Sequence, residues 1–296
     1  MLPYSPTPIQ EIKGHPLLKR AEVSVFVKRE DLNHPTVSGN KWWKLKFNLE
    51  EALRSSHQTI VTLGGAYSNH IYATAAAAAE LGLKAIGIIR GNEIKPLNPT
   101  LSFAQQKGME LRFVSREKYK RKNSPEFLQE LKSAVGEFLF LPEGGSNLLA
   151  VNGCASFVQE ELSKINFDNL FLPVGTGATM AGLICGFRGK KRVTGVSVLK
   201  GGAFLEGDIR KFVAGYSGTS FENWRLITHY HHGGYAKTTP ELHSFITEMN
   251  DTYSLPLDHV YTGKLLWAVF KEIEAGAIAR GEKILVLHTG GLQGLS

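Results

Sequence analysis

Short β-rich runs alternate with helical runs along most of this chain, and clusters of Pro, Gly and Asn separate them. Parallel strands need long crossover connections, which are usually helices, so this alternation indicates an α/β protein with mostly parallel sheets. We predict strands at residues 23–28, 59–63, 85–89, 110–114, 170–174, 192–198 and 284–288. We predict helices at residues 41–55, 68–81, 102–107, 124–134, 150–163, 179–187, 240–251 and 265–275.

The size and charge of the chain narrow the classes of protein to consider. With 296 residues it suits one large domain or two coupled domains, and 43% hydrophobic residues exclude a disordered chain. The net charge of +7 suits an anionic substrate or cofactor, although moderately basic enzyme surfaces are common. The densest basic run, residues 116–122, lacks repeated aromatic residues, so we predict a solvated surface there and no nucleic-acid site.

The sequence gives no sign of export or of membrane insertion. Cys154 and Cys185 form no CxxC pair and suggest no disulfide framework. The first residues lack the apolar core of a signal peptide, and no apolar run is long enough to span a bilayer. We therefore expect a soluble protein of the reducing cytoplasm, with no membrane among its partners.

Two predicted strand–turn–helix units share one design. The strand at 59–63 leads through residues 64–67 into a helix that begins near Ser68, and the strand at 170–174 leads through residues 175–179 into another. In each unit, glycines before a helix expose backbone N–H groups, which together form a potential anion site.

The two loops of these units differ in the ligand that they suit. The GTGAT loop, residues 175–179, is the better phosphate candidate, because its glycines allow close approach and its threonine hydroxyls add donors. It matches neither a Walker loop nor the dinucleotide fingerprint, and it could also be only a tight connection. In the first loop, Ser68 and Asn69 are good N-cap residues, and the donors left over suit a substrate carboxylate.

One lysine stands out within the sequence SGNKWWK, residues 38–44. Lys41 follows a Gly-Asn turn and precedes two tryptophans at the start of a predicted helix. A lysine held beside apolar rings loses hydration, which lowers its pKa, and the neutral amine is the form that condenses with an aldehyde. The alternative is an ordinary surface lysine near a helix N-terminus.

Polar residues near the C-terminus could complete a site. Thr289 and two glycines follow a predicted strand, and ligands of doubly wound sheets bind at the carboxyl ends of strands. Tyr261 precedes a Thr-Gly turn and could act as an acid or base, although most tyrosines are simply half-buried. The adjacent His231 and His232 point to different sides, so we predict no metal site there.

Taken together, these segments resemble the fold-type II pyridoxal-phosphate enzymes, specifically the 1-aminocyclopropane-1-carboxylate deaminase and D-cysteine desulfhydrase family. The matching segments follow the family's order over nearly the whole chain: KREDL…SGNKWWKL, LGGAYSNH, LPEGGSN, PVGTGATMAG, GGY, VYTGK and HTGG. The resemblance implies two α/β domains, each an open, mostly parallel twisted sheet flanked by helices. It implies a large domain of residues 1–44 plus 154–296, a small domain of residues 45–153, a site in the cleft between them, and a homodimer.

Carried over by position, the resemblance implies a role for each loop. Lys41 would bind pyridoxal 5'-phosphate and later move a proton. The residues around the phosphate would be Gly175, Thr176, Gly177, Ala178 and Thr179. The substrate carboxylate and the cofactor's 3-hydroxyl would be surrounded by Ser68, Asn69 and His70, beside Tyr67, with Asn69 nearest the ring oxygen. The reacting face would be lined by Tyr235 and Tyr261, and Thr289 would face the pyridine nitrogen.

The resemblance also implies a reaction. A neutral hydroxyl at the pyridine nitrogen makes the cofactor a weaker electron sink than a carboxylate would, which suits elimination of a β-substituent better than transamination. We therefore expect a lyase or deaminase that converts a small amino acid into a 2-oxo acid and ammonia, with sulfide if the substrate is D-cysteine.

The choice within the family depends on a few positions. Thr262 replaces the glutamate typical of the cyclopropane-opening deaminases, and His70 replaces their second glutamine, so both favour the desulfhydrase branch. Tyr67 departs from the glutamine usual in both branches. An L-serine or L-threonine dehydratase, or a cysteine-synthase-like enzyme, stays open within the same fold. A non-catalytic binder of a phosphorylated metabolite is the alternative from another class.

Overall fold

The structure is a computed structural model that describes residues 1–55 and 58–294. Its strands are β1 (Ile9–Glu11), β2 (Ser24–Lys28), β3 (Thr59–Gly64), β4 (Lys84–Arg90), β5 (Glu110–Val114), β6 (Leu139–Leu141), β7 (Asn169–Val174), β8 (Arg192–Ser197), β9 (Trp224–Ile227) and β10 (Lys283–Leu287). Its α-helices are α1 (Pro16–Ala21), α2 (Asn40–Arg54), α3 (Asn69–Glu80), α4 (Pro99–Gln106), α5 (Arg116–Lys120), α6 (Pro125–Val135), α7 (Leu148–Glu160), α8 (Ala178–Phe187), α9 (Leu205–Ser217), α10 (Pro240–Tyr253) and α11 (Thr262–Glu274). Short 3₁₀ helices lie at Glu30–Leu32, Glu143–Gly145, Leu162–Lys164, Gly202–Phe204 and Leu292–Gly294.

The described strands form two sheets. The larger sheet has the order β1-β2-β10-β7-β8-β9 and the smaller one the order β5-β4-β3-β6. The β1–β2 pair is antiparallel, and the other paired strands are parallel. The predicted α/β fold with mostly parallel sheets is therefore confirmed, and the first and last parts of the chain meet side by side in β2 and β10.

Every predicted strand and helix is present, with ends that differ by at most a few residues. The prediction missed the short strands β1, β6 and β9, and the helices α1, α5 and α9. Helix α9 buries Leu205, Ile209 and Val213, which follow one another at the spacing of a single helix face. Two glycines inside this segment obscure the helical signal in the sequence.

A shared hydrophobic core joins the two sheets. It runs from Ile60 of β3 through Trp43 of α2 to Leu170 of β7, all three being buried. Within it, the rings of Trp43 and Phe157 stack with their centroids 4.5 Å apart, which packs α2 against α7. The strands of the smaller sheet all lie within the predicted small domain, residues 45–153. The boundaries themselves stay a prediction, because this core crosses them.

Candidate active site

The site begins where the turn before α2 meets the segment after β10. Gly39 has a φ of 71°, and a Cβ at this position would lie 1.9 Å from the backbone oxygen of Thr289. Only glycine allows this approach. The backbone N–H of Gly39 donates to the side-chain oxygen of Asn33 at 2.9 Å, and the Asn33 amide donates to the Gly39 oxygen at 3.0 Å. The turn that precedes Lys41 is therefore fixed on both sides.

The KREDL segment, residues 28–32, supports this turn through one carboxylate. Glu30 is fully buried, and its carboxylate accepts hydrogen bonds from Asn33 at 3.0 Å, from the Trp43 indole at 2.7 Å and from Thr7 at 2.6 Å. Burial raises the pKa of Glu30, and the three donors act against that rise. One carboxylate thus holds residues that flank Lys41 on either side in the chain.

Lys41 is desolvated, as expected, whereas the two tryptophan rings that follow it in the chain pack against Tyr4. Its Nζ lies 2.9 Å from the Asn40 side-chain oxygen, and the Asn40 amide donates to the hydroxyl of Thr179 at 2.9 Å. Burial lowers the pKa of Lys41 to about 8, and the charges of Cys154 and Asp258 act in the opposite direction. About a tenth of the amine is therefore neutral at pH 7, far more than for an ordinary lysine, and the amine is linked to the GTGAT loop.

The GTGAT loop leaves the start of α8 open to an anion. Gly177 precedes the helix with a φ of 85°, and no side chain caps the first turn. Gly175 lies against the Tyr261 ring, which would be 3.3 Å from a Cβ there. Exposed N–H groups and the helix dipole both favour a negative charge at such a position.

A second lysine, Lys44, lies next to this loop and was missed in the sequence. Its Nζ donates to the Ser146 hydroxyl at 2.9 Å and to the Gly144 carbonyl, and the Ser146 and Thr176 hydroxyls are 2.6 Å apart. Burial, and then the charge of Lys41, lower the pKa of Lys44 to about 7. The spacing of the two lysines, three residues apart on one helix face, is the signal that could have revealed it.

The YSNH loop, residues 67–70, both caps α3 and offers polar groups that can still form hydrogen bonds. The Ser68 hydroxyl caps α3 by accepting hydrogen bonds from the backbone N–H groups of His70 at 3.2 Å and Ile71 at 3.3 Å. Its own proton remains to be donated. Asn69 accepts a hydrogen bond from the Gln293 amide at 2.6 Å, which ties the loop to the C-terminal segment. Tyr67 is 69% exposed at the outer edge of this loop.

The ring of His70 lies beneath the loop. It is only 1% exposed, and its nitrogens lie 2.7 Å from the Thr62 hydroxyl and 3.4 Å from the Thr74 hydroxyl. Burial, followed by the charges of Lys44 and Lys41, holds the pKa of His70 well below its usual range. A neutral His70 therefore supports the loop from inside, and its predicted contact with a substrate carboxylate stays a prediction.

The two predicted tyrosines, Tyr235 and Tyr261, lie next to each other. Their hydroxyl oxygens are 3.5 Å apart, with Tyr261 donating to Tyr235. The carboxylate of Asp258 accepts from the backbone N–H groups of Tyr261 and Thr262, both at 2.8 Å, and so caps α11. Burial, more than any nearby charge, raises the pKa of Tyr261 well above its usual value. Tyr261 therefore keeps its proton at neutral pH.

A cluster of Arg90, Tyr119, Lys122 and Glu143 lies close enough to the site for the charges of Arg90 and Glu143 to act on Tyr235, and it was also missed in the sequence. Tyr119 donates to the Glu143 carboxylate at 2.9 Å, and the Arg90 guanidinium lies 5.7 Å from the centre of the Tyr119 ring. Lys122 forms an ion pair with Glu143 at 3.4 Å. Arg90 ends β4, so its position at the carboxyl edge of the smaller sheet is the signal that could have indicated it.

The site thus offers a reactive amine and an anion cradle that are joined by the hydrogen bonds of Asn40. A buried lysine with a lowered pKa suits an aldehyde, and the uncapped start of α8 beside a second lysine suits a phosphate. Among the described residues, no group of three or more His, Cys, Asp and Glu side chains is arranged to hold a metal ion. In the same part of the chain, no helix is both long and apolar enough to cross a bilayer.

Comparison with known proteins agrees with this chemistry. A sequence model of the family described as "Pyridoxal-phosphate dependent enzyme" matches residues 1–290. A bifunctional D-cysteine desulfhydrase/1-aminocyclopropane-1-carboxylate deaminase of Arabidopsis thaliana is 31% identical, over 99% of this chain and 78% of that protein. A 1-aminocyclopropane-1-carboxylate deaminase of Rhizobium leguminosarum is 26% identical, over 100% of this chain and 94% of that protein. A crystal structure of an ACC deaminase homologue has a TM-score of 0.86 and 30% identity, covering 99% of this chain and 92% of that chain.

Proposed function

The chain belongs to the family of pyridoxal-phosphate dependent enzymes, and we propose that it deaminates a small amino acid by eliminating a β-substituent. The products are a 2-oxo acid and ammonia, with sulfide if the substrate is D-cysteine. One observation carries the proposal: the buried amine of Lys41, with its pKa lowered to about 8, is linked through Asn40 to the uncapped start of α8. An aldehyde-reactive group directly linked to an anion cradle supports a cofactor that carries both an aldehyde and a phosphate.

The cofactor is pyridoxal 5'-phosphate, and the residues present fit it. Lys41 would hold its aldehyde carbon, and Lys44, when protonated, would add a positive charge beside the loop that holds its phosphate. Asn69 would contact the ring oxygen, and Thr289, whose backbone touches the Lys41 turn, would face the pyridine nitrogen. The bound cofactor supplies an electron-withdrawing ring that acidifies the α-carbon of the substrate.

The chain's own residues then bind the substrate and move its protons. The Ser68 hydroxyl and the remaining donors at the start of α3 would hold the carboxylate. Lys41, neutral in part near pH 8, would accept the α-proton. Tyr261 keeps its proton because it is buried, so it would donate to the leaving group, and Tyr235 lies within 3.5 Å to share that proton.

The position of Thr262 favours D-cysteine over the cyclopropane substrate. Cyclopropane-opening deaminases typically carry a glutamate here. In this chain the Thr262 hydroxyl is buried and donates to the Asp258 carboxylate at 2.6 Å, so it cannot take the place of that acid. A β-elimination that needs only Lys41 and the two tyrosines is therefore the better fit. The plant relative, which is named for both activities, provides the test pair of substrates.

A homodimer is part of the proposal. Leu148 of α7 is 47% exposed and Tyr216 of α9 is 39% exposed, and the hydroxyl of Tyr216 donates to Asn152 of α7. These two side chains on adjacent helices are where we place the contact between the two chains. Size-exclusion chromatography with light scattering measures the molar mass of the protein directly. A mass that corresponds to one chain would refute the homodimer. A cytoplasmic location stays a prediction.

The absorbance spectrum of the protein with added pyridoxal phosphate tests the central claim. Wild type and Lys46→Ala should each develop a visible band, whereas Lys41→Ala should not. Lys46 is the matched control because it is a largely covered lysine on the same helix that pairs with Glu160 and not with the GTGAT loop. Borohydride reduction followed by mass spectrometry should then find the cofactor on Lys41.

Substrate screening with D-cysteine, 1-aminocyclopropane-1-carboxylate and L-serine follows, with the 2-oxo acid as the measured product. Preference for L-serine would support the dehydratase alternative. If wild type forms no visible band, the proposal is wrong. Phosphate-ligand affinity that is unchanged in Lys41→Ala would then support the non-catalytic binder.

A further inference from the structure

Tyr235 lies on an irregular loop, although its hydroxyl must be placed accurately beside that of Tyr261. The residues around it adopt unusual backbone conformations: φ is positive at His232, Gly233, Gly234 and Ala236. Positive φ is unfavourable for His232 and Ala236, which are not glycines. Contacts from outside the loop are therefore needed to keep this backbone in place.

Lys264 supplies these contacts from helix α11. Its side chain is fully buried, and its Nζ donates to the backbone oxygen of His231 at 2.9 Å and of Gly234 at 2.7 Å. The same two oxygens accept from the backbone N–H groups of Gly234 at 3.0 Å and Lys237 at 3.1 Å, which close two consecutive turns. Tyr235 lies in the second turn, directly after the residue that the two turns share.

Helix α11 connects both tyrosines to one rigid element. Tyr261 is its N-cap residue, Lys264 lies about one turn further on, and Trp267 lies about one turn after that. The Trp267 ring meets the His232 ring edge to face, with centroids 5.5 Å apart. The helix therefore contacts the Tyr235 loop at two places while it carries Tyr261 at its start.

The burial of Lys264 is costly for folding, so a role other than stability accounts for it better. Among the residues that the structure describes, no carboxylate lies within ion-pair distance of its ammonium group, and its hydrogen-bond partners are neutral carbonyls. Burial lowers the pKa of Lys264 to about 8, although Asp258 acts in the opposite direction. Buried charges without a charged partner usually destabilise a protein relative to apolar residues of similar volume.

We propose that Lys264 is a positioning residue that sets the distance between the hydroxyls of Tyr235 and Tyr261 by clamping the two turns around Tyr235. The inference rests on the proposed role of Tyr235 in the reaction. Lys264 itself touches neither of the two hydroxyls; it acts through the backbone of the loop.

Hydrogen exchange measured by mass spectrometry tests the clamp without relying on activity. In Lys264→Met, peptides that cover residues 231–237 should exchange about tenfold faster than in wild type, because the turns lose a shared donor. The control is Lys191→Met, which removes a lysine-to-carbonyl hydrogen bond to Phe167 elsewhere in the fold. Lys191→Met should leave the exchange rate of residues 231–237 unchanged. Lys264→Gln keeps a donor, should give an intermediate rate, and replaces the Met variant if that one does not fold.

A double-mutant cycle tests whether Lys264 acts through Tyr235. Lys264→Met should lower kcat about tenfold in the wild-type background and less than about twofold in the Tyr235→Phe background, with KM changed little. Equal losses in both backgrounds, or unchanged exchange of residues 231–237 in folded Lys264→Met, would overturn the inference. If wild type forms no product from any amino acid tested, the proposed function fails, and the exchange experiment alone decides whether the clamp exists.

Discussion

Helices α3 and α8 both follow a parallel strand and a glycine turn, but their first turns are completed in different ways. At α3 the Ser68 hydroxyl accepts from two backbone N–H groups of the helix. At α8 the N-cap residue is Gly177, and no side chain caps the helix. The N–H groups of α3 are thus partly satisfied by the chain itself, whereas those of α8 remain for a ligand.

The charges around the two helix starts differ as well. Lys41 and Lys44 are connected to the α8 loop through Asn40 and Ser146, and Lys44 in its protonated form adds positive charge to that of the helix dipole. At the start of α3 the side-chain donors of the loop itself are neutral, namely the Ser68 hydroxyl and the Asn69 amide, and the Arg90 guanidinium lies against Gly65 at the other end of the turn. The α8 end therefore suits a phosphate dianion, and the α3 end suits the weaker charge of a carboxylate.

The largest expected effect comes from giving α8 a cap of its own. Gly177→Asp places a carboxylate at the helix start, where it competes with the phosphate for the N–H groups and repels it. We expect the Kd of pyridoxal phosphate to rise about a hundredfold relative to Gly177→Asn, because the two variants differ mainly in charge. Titration of the visible band in each variant measures this ratio.

Gly177→Asn is the matched control. Both side chains must adopt the positive φ of 85° and must pass the Ile209 side chain, which would be 3.0 Å from a Cβ at this position. Their steric costs are therefore similar, and Asn and Asp tolerate this conformation better than most residues. Equal affinities in the two variants would show that the anion does not bind at the start of α8.

A smaller effect is expected when the cap of α3 is changed. Ser68→Ala removes the acceptor from both N–H groups and should lower the free energy of unfolding by about 1 kcal/mol. Ser68→Asp restores an acceptor but has no proton to donate and repels a substrate carboxylate. We expect Ser68→Asp to be nearly as stable as wild type, while its kcat/KM falls about tenfold or more.

Urea unfolding and product formation measured on the same samples separate the two roles. If Ser68 serves only as a cap, activity will follow stability, and Ser68→Asp will be as active as wild type. If the hydroxyl also binds the substrate, Ser68→Asp will be the one variant that keeps its stability and loses activity. Thr62→Val, which removes a buried hydroxyl beneath the same loop, controls for a general disturbance of α3.

Much of the difference between the starts of α3 and α8 could be predicted from the sequence, because the residues that cause it lie within a few positions of each helix start. The glycines of both turns, the cap at Ser68 and the position of Lys41 at a helix start can all be recognised within a few residues. Lys44 and Lys264 were not recognised as parts of the site, because their partners lie far away in the chain. Lys44 donates to Ser146, and Lys264 to Gly234; the spacing from Lys41 indicates the helix face of Lys44, but it does not identify the partner of either lysine.

The same reasoning applies to the elements of the fold. The buried, β-rich strands of each sheet were predicted, whereas β1, β6 and β9, of three or four residues each, are too short to show a periodicity. Their formation depends on a neighbouring strand that offers free hydrogen-bonding groups. The inward position of His70, likewise, follows from Thr62 on β3 and was not visible from its place in the cap motif.

The smallest expected effect concerns a third helix start, that of α2, which also has a glycine N-cap and no side-chain cap. Here the chain places Lys41 in the first turn, where burial lowers its pKa to about 8 from 10.5. The neutral amine reacts with the aldehyde, so the rate of cofactor capture should rise about fivefold between pH 7 and 8 and only about twofold above that. A lysine with an unshifted pKa would instead give a rate that rises about tenfold per pH unit up to 10.5.

Stopped-flow absorbance at constant ionic strength, with butylamine as the free-amine control, measures this profile. The control corrects for the titration of the cofactor itself, which affects both reactions equally. A plateau above about pH 9 in the protein alone would show that burial at the start of α2 activates the lysine, whereas the uncapped start of α8 attracts the phosphate. A rate that continues to climb like that of butylamine would mean that Lys41 is solvated, and the lowered pKa would then be wrong.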